Sequence, residues 1–243
     1  MFYTERFDQN NNEANIVAYA YGDVNGDNIR DFVYLTGTRT PGSGYIRNIT
    51  LLIRDGRTGI KQRVKLKSDS GYSPAVTLVD FTADKTKDII VGIASGGSGG
   101  IMFYYIFSDV NSDIKMLFDY EEFNNRYSYK VVYRDFYKVI VKNLVNNVSF
   151  IIDISLKGRE YLSEIYTPEG TLKEPIEGWV DPLGGLYPID YDGNGVYELL
   201  GYQGISGRYH ADSLGNLQSI LKWDGQKFYL TTQYVGIIGG TPE

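Results

Sequence analysis

The chain has no cysteine and a single histidine, His210. Without cysteine there are no disulfide staples and no thiolate chemistry, and the compartment stays open because a core of this size needs no staples. No run of about 18 apolar residues occurs, so no helix is expected to cross a bilayer. Basic residues are in the minority, 24 Lys plus Arg against 30 Asp plus Glu, for a net charge of −6. That balance offers no footprint for nucleic acid or an anionic membrane and suits acidic loops that attract cations. The opening "MFYTERFDQNNNEAN" lacks the basic and then apolar layout of a secretory signal, which was either unneeded or already removed. No convincing amphipathic helix is visible either. What is present is a chain of 243 residues, 42% hydrophobic, with 22 Tyr and 28 Gly. Such a chain can bury a core, and aromatics with frequent glycine turns point to strands.

The chain repeats itself with a period of about 55 residues. "AYAYGDVNGDNIRDFVYL" returns as "VTLVDFTADKTKDIIVGIA" around Asp80 and as "LYPIDYDGNGVYELLGYQG" around Asp190. A fourth copy, "YKVVYRDFYKVIVKN", falls between them, its polar loop collapsed to Asp135, Phe136, Tyr137 and Lys138. Each copy reads as four short strands with largely alternating apolar and polar residues, joined by turns. The units run over approximately 15–72, 73–128, 129–184 and 185–243 of a single domain, 1–243. Four-stranded units repeated at this length are the signature of propeller blades.

The order apolar strand, Asp-x-Asn-Gly-Asp-x-x-x-Asp, apolar strand and glycine resembles the FG-GAP or VCBS-type repeat of integrin-alpha-like propellers. The motif is specific in copies one and four, weaker in copy two and lost in copy three. The resemblance implies an all-β fold, a β-propeller of four-stranded blades with calcium in certain loops. It also implies a location outside the cell or at a cell or spore surface. The repeat count gives four blades. A fifth has room in the divergent 165–185 region, and residues 1–14 are a candidate ring-closing strand.

Calcium takes six to eight oxygens, and a tight loop with donors at positions 1, 3, 5 and 9 and a carbonyl at 7 can wrap it. Copy one supplies Asp23, Asn25, Asp27, the Ile29 carbonyl and Asp31; copy four supplies Asp190, Asp192, Asn194, the Val196 carbonyl and Glu198. Gly26, Gly193 and Gly195 fall between donors, where left-handed backbone is needed, and Asn28 tolerates it. Copy two keeps Asp80, Thr82, Asp84 and Asp88, with Ala83 and Lys85 where glycine would ease the turn, so it reads as a weak or absent site. Asp135 alone should bind nothing. An EF-hand is excluded, since its position 12 would be Tyr34 or Gly201 and its flanks would be helical. Asp, Asn and Gly also dominate ordinary hairpin turns. A hairpin turn, however, does not need oxygen donors at four fixed odd offsets twice in register. "DVNSD", 109–113, imitates the motif but lacks an acid at position 9 and reads as a turn.

Catalytic readings are weaker. "GGSGG" centres Ser98 in a G-x-S-x-G pattern with His210 downstream, but a strand rather than a helix follows, against a nucleophile elbow. The acid pairs Glu121 with Glu122 and Glu160 with Glu164 read as solvated edges, and Trp179 reads more readily as buried than as a stacking platform. The expected protein is therefore non-enzymatic. If the acidic loops join first to second strands, the second-to-third connections "TGTRTPGSGY", "ASGGSGG" and "QGISGRYHADSLGN" lie on the opposite rim. Their Gly, Ser, Arg and Tyr suit adaptable contacts. Tyr45, Arg208, Tyr209 and His210 are the candidates there for a protein or glycan ligand, with a structural coat component and a polysaccharide-acting protein as alternatives.

Overall fold

A computed structural model describes residues 15–239. The candidate ring-closing strand at 1–14 lies outside the described residues. The fold is all-β, built of three antiparallel sheets. The first contains β1 (Ile16–Gly22), β2 (Asp31–Arg39), β3 (Ile46–Arg54) and β4 (Lys61–Lys65) in sequence order. The second repeats that order with β5 (Tyr72–Val79), β6 (Asp88–Ala94), β7 (Met102–Ser108) and β8 (Lys115–Asp119).

The third sheet departs from expectation. It contains β9 (Tyr129–Arg134), β10 (Lys138–Asn143), β11 (Ser149–Asp153), β12 (Glu177–Ile189), β13 (Glu198–Ser206), β14 (Ser213–Trp223) and β15 (Phe228–Gly236). Their order is β11-β10-β9-β12-β13-β14-β15, seven strands in one sheet. The extra length of β12 causes the fusion, since its start pairs with β9 at Glu177 opposite Val132 and Gly178 opposite Val131. A set of four separate four-stranded blades is thus corrected to two four-stranded sheets and one of seven, and the region set aside for a fifth blade supplies the beginning of β12.

Two short helices also correct the all-strand reading. Helix α1 (Tyr120–Arg126) starts at Asp119, whose side chain accepts the Glu121 N–H, and it buries Tyr120 and Phe123 one turn apart. Helix α2 (Arg159–Ile165) occupies "EYLSEI", the segment expected to be the third unit's last strand. Its Tyr161, Leu162 and Ile165 pack on a core with Val131, Tyr133, Val139 and Leu217. About two turns are too short to display helical periodicity. A second core, with Val33, Leu51, Ile89, Tyr105 and Phe107, joins the first two sheets and reaches Leu183 and Leu199 of the third. Among the described residues, no helix is long and apolar enough to cross a membrane.

Candidate functional site

The three acidic loops share one backbone wrap. Asp23 accepts from the N–H groups of Gly26 (2.7 Å) and Asn28 (2.8 Å), Asp80 from Ala83 (2.8 Å) and Lys85 (2.9 Å), and Asp190 from Asn194 (3.0 Å) and Gly195 (3.2 Å). Left-handed φ recurs at Gly26 (85°) and Asn28 (62°), and at Gly193 (71°) and Gly195 (84°). Ala83 (62°) and Lys85 (69°) adopt it too, against a cost of about 1–2 kcal/mol per side-chain-bearing residue. Missing glycines strain the second loop without changing its path. In the third unit Asp135 is spent on the Leu172 N–H.

What the loops do with their acids differs. In the first, Asp27 accepts from Arg57 Nε at 2.7 Å, which holds its carboxyl below the usual range, while Arg57 Nη2 donates to the Asp27 carbonyl. Asn25 accepts the Asp27 N–H on its side-chain oxygen, and Ile29 donates its own N–H to Asp27. Asp31 is wholly buried, its oxygens accepting from the Val24 and Gly56 N–H groups at 2.9 Å, and burial raises its pKa. In the second, buried Asp88 accepts the Phe81 N–H, Thr82 lies 3.5 Å from it, and Asp84 accepts from Thr86; burial pushes Asp88 up to about 6. In the loop from β12 to β13, oxygens of Asp190, Asp192 and Glu198 all lie within 4.8 Å of one another. Among the described residues no such triplet forms in the other two loops. Lys222 on β14 stands over this triplet, 2.5 Å from Asp192 and 3.4 Å from Glu198, and its hydrogen bond lowers the Asp192 pKa. Asn194 accepts the Val196 N–H, and Glu198 the Tyr191 N–H. Three converging carboxylates with a glycine-rich wrap fit a hard, oxygen-seeking cation. The first loop fits less well, because its carboxylates do not converge: Arg57 takes Asp27, and Asp31 is buried between the Val24 and Gly56 N–H groups.

"DVNSD" is a turn, with a single 3-10 turn at Val110–Ser112, but it is more than that. Asn111 donates its N–H to the Asn25 carbonyl at 3.0 Å, and Gln62 Nε2 donates to both oxygens of Asp109. Asp109 is buried near Asp31 and Asp55, and its pKa is pushed up to about 7, first by burial. The first loop is therefore part of the seam between two sheets, not a free rim.

At the opposite end of the third sheet, the connection from β13 to β14 is a tight turn, Gly207–Asp212, closed by hydrogen bonds between Gly207 N and Asp212 O and between Asp212 N and Tyr209 O, each 2.8 Å. Beneath it, buried Asp212 accepts from the Arg208 N–H (2.9 Å), Tyr161 (2.7 Å), Tyr133 (3.1 Å) and Lys157. Burial drives the Asp212 pKa up, but Lys157 and these donors hold it below the usual range; the Tyr161 hydroxyl is pushed up by burial and by Tyr133 and Asp212. Gly207 is required by close approach, since a Cβ there would lie 2.1 Å from the Tyr133 hydroxyl and 2.2 Å from Asp212.

A second buried carboxylate, Asp181, accepts from Trp179 Nε1 (2.8 Å) and Ser206 Oγ (2.7 Å), and its carbonyl accepts from Gln203. His210 sets Nδ1 3.4 Å from Asp181 and its ring edge-on to the Trp179 indole, centroids 5.0 Å apart. Exposed Arg208 pairs with Glu164 at 2.7 Å and lies over the Tyr161 ring. Arg208, Tyr209 and His210 thus come together on one turn, with Trp179 half-buried beside them. Tyr45 does not join them; it packs on Tyr72, centroids 5.2 Å apart. Glu164 faces Arg208 and not a second acid. Asp181, Asp212, Ser206, Lys157 and Tyr161 carried no motif, and only distant pairing brings them together.

A family model described as the YybI C-terminal domain matches residues 127–236, which span the whole seven-stranded sheet. The uncharacterized protein YybI of Bacillus subtilis (strain 168) is 50% identical over 224 residues, 92% of this chain and 86% of the relative. No solved structure matches. The resemblance to FG-GAP or VCBS repeats is overturned by these matches, which removes the support for the surface location it implied without testing that location. The motif-like spacing reports a shared loop geometry, which the three loops do have, not membership of that family.

Proposed function

The chain belongs to the YybI family, and from that premise we propose that it is a non-enzymatic recognition module that takes a protein or glycan ligand on the turn 207–212. The observation that carries this reading is the support beneath that turn. Exposed Arg208, Tyr209 and His210 are presented by two buried carboxylates, Asp212 and Asp181, whose hydrogen bonds are spent on holding the turn and its indole neighbour. A pre-ordered turn of Arg, Tyr and His loses little freedom on binding, and Tyr and Arg are residues that anchor interfaces.

In this reading Asp190, Asp192 and Glu198 hold a calcium ion at the other end of the same sheet, with the Val196 carbonyl and Asn194 as further oxygens. The ion supplies charge neutralisation and order to the loop, which is a structural role. The repeat of loop and strand supports a propeller-derived arrangement whose third and fourth units have merged. Ligands are identified by glycan array and by capture with the intact protein, then retested against Arg208→Ala, Tyr209→Ala and His210→Ala combined. Loss of binding at unchanged melting temperature is expected. Retention of every identified ligand by the triple variant removes the assignment. For the metal, calcium should raise the melting temperature and a chelator reverse it; absence of any shift removes that part alone.

A further inference from the structure

The edges of the three sheets are protected unequally. β4 carries Lys61, Arg63 and Lys65 along its short edge, and β8 carries the exposed Lys115, charges that discourage a foreign strand. β11 ends the seven-stranded sheet, and among the described residues β10 is its one strand partner. Its sequence, "SFIID", alternates in and out: Phe150 and Ile152 face the core, while Ile151 is 71% exposed. Leu144, Val145 and Val148 in the preceding turn are exposed as well. Where β11 ends, a groove of about 240 Å3 opens between this edge and the end of β15, its apolar part formed by Ile152, Ile154, Leu156, Ile237 and Ile238 beside the polar Asp153, Lys157 and Ser213. An open backbone ladder, an outward isoleucine and an apolar groove at one edge are what strand addition requires.

We infer that a second copy of this chain pairs antiparallel along β11, in a two-fold dimer centred on Ile151. The sequence is self-complementary in that register. Ile151 meets its own copy, Phe150 meets Ile152, and Asp153 meets Ser149, so no acid faces an acid and a hydroxyl is offered to each carboxylate. Continuing the register by three residues places Val148 of the copy against Ile154, at the mouth of the groove. A two-fold axis makes each contact occur twice, as closed dimers require. The inference is independent of the ligand reading above, since β11 lies outside the turn 207–212.

The test uses sedimentation and a single introduced thiol. Wild type should sediment as a dimer in the micromolar range, and Ile151→Lys as a monomer that melts as one cooperative unit. Because the chain has no cysteine, Ile151→Cys reports register cleanly. Directly opposed residues of antiparallel strands lie about 4.5–5.5 Å apart at Cα, a span that a disulfide bridges. Mild oxidation should therefore cross-link Ile151→Cys nearly completely, and Tyr229→Cys on the β15 edge hardly at all. A wild type that is monomeric at every concentration overturns the inference, even if a foreign peptide binds the edge. So does a dimer that survives Ile151→Lys, or equal cross-linking of the two cysteine variants.

Discussion

The loops 23–31 and 190–198 are spelled alike and folded alike, yet they spend their charge differently. In the first, Arg57 takes Asp27, backbone N–H groups take both oxygens of Asp31, and the second sheet closes over Asn25 through Asn111. In the second, Asp190, Asp192 and Glu198 converge at an open loop beneath Lys222. The comparison teaches that the motif sets the wrap, while the neighbours decide how its carboxylates are paired. A turn with an arginine ties down one acid of the first loop, whereas one lysine in the other loop serves both Asp192 and Glu198 of a converging triplet.

The largest effect should come from the buried acid of the first loop. Asp31→Ala leaves the Val24 and Gly56 N–H groups without acceptors, a loss on the order of 3 kcal/mol. Glu198→Ala orphans the Tyr191 N–H, while Lys222 keeps Asp192 as its partner, and it should cost about half as much. Denaturant unfolding of both variants checks the order; equal losses would mean that the two loops are equivalent after all. Calcium should reverse the ranking. At 100 times its dissociation constant it adds about 2.7 kcal/mol to a protein with one site. That increment should vanish in Glu198→Ala and persist in Asp27→Ala, read as the shift in melting temperature between calcium and chelator.

Much of this was legible in sequence, and the failures have physical causes. Period and turn chemistry located the strands and the shared loop, because local hydrogen bonding from Asp23, Asp80 and Asp190 fixes that geometry. The fusion of the last two units was invisible, since it depends on the register in which Glu177 and Gly178 meet β9. Helix α2 hid in a pattern too short to show a period. His210 and Arg208 were singled out in sequence by their place in a long connection, and the structure sets them on one turn. The buried partners that hold them were not, because Asp181 and Asp212 look like any other loop acids until the sheet brings Trp179, Ser206 and Tyr161 to them.

The seam offers a pH test of the same comparison. Asp109 has its pKa raised from 3.8 to about 7, by burial first and then by Asp31 and Asp55 among its neighbours. A raised carboxyl contributes stability that is full below about pH 4 and lost as pH climbs through about 7. Wild type should therefore lose stability between those values. Asp109→Asn should flatten that fall and exceed wild type above pH 7 by on the order of 2 kcal/mol. The rise from 3.8 to about 7 carries roughly 4 kcal/mol, and losing the charge-assisted Gln62 hydrogen bonds offsets part of it. A variant with an unchanged pH profile would mean that Gln62 fully offsets the burial of the charge.

The smallest expected effect on stability is also the sharpest comparison. Arg57 and Asp27 are an exposed pair, and such pairs contribute little to folding. Arg57→Met should leave the melting temperature in chelator nearly unchanged, yet it removes the cation that occupies Asp27. If neighbours choose the cation, this one substitution should give the loop 23–31 a calcium response of its own, additional to that of 190–198 and absent from Arg57→Met combined with Asp27→Ala. If the response does not appear, the burial of Asn25 and Asp31 in the seam, and not the arginine, is what closes this loop to metal.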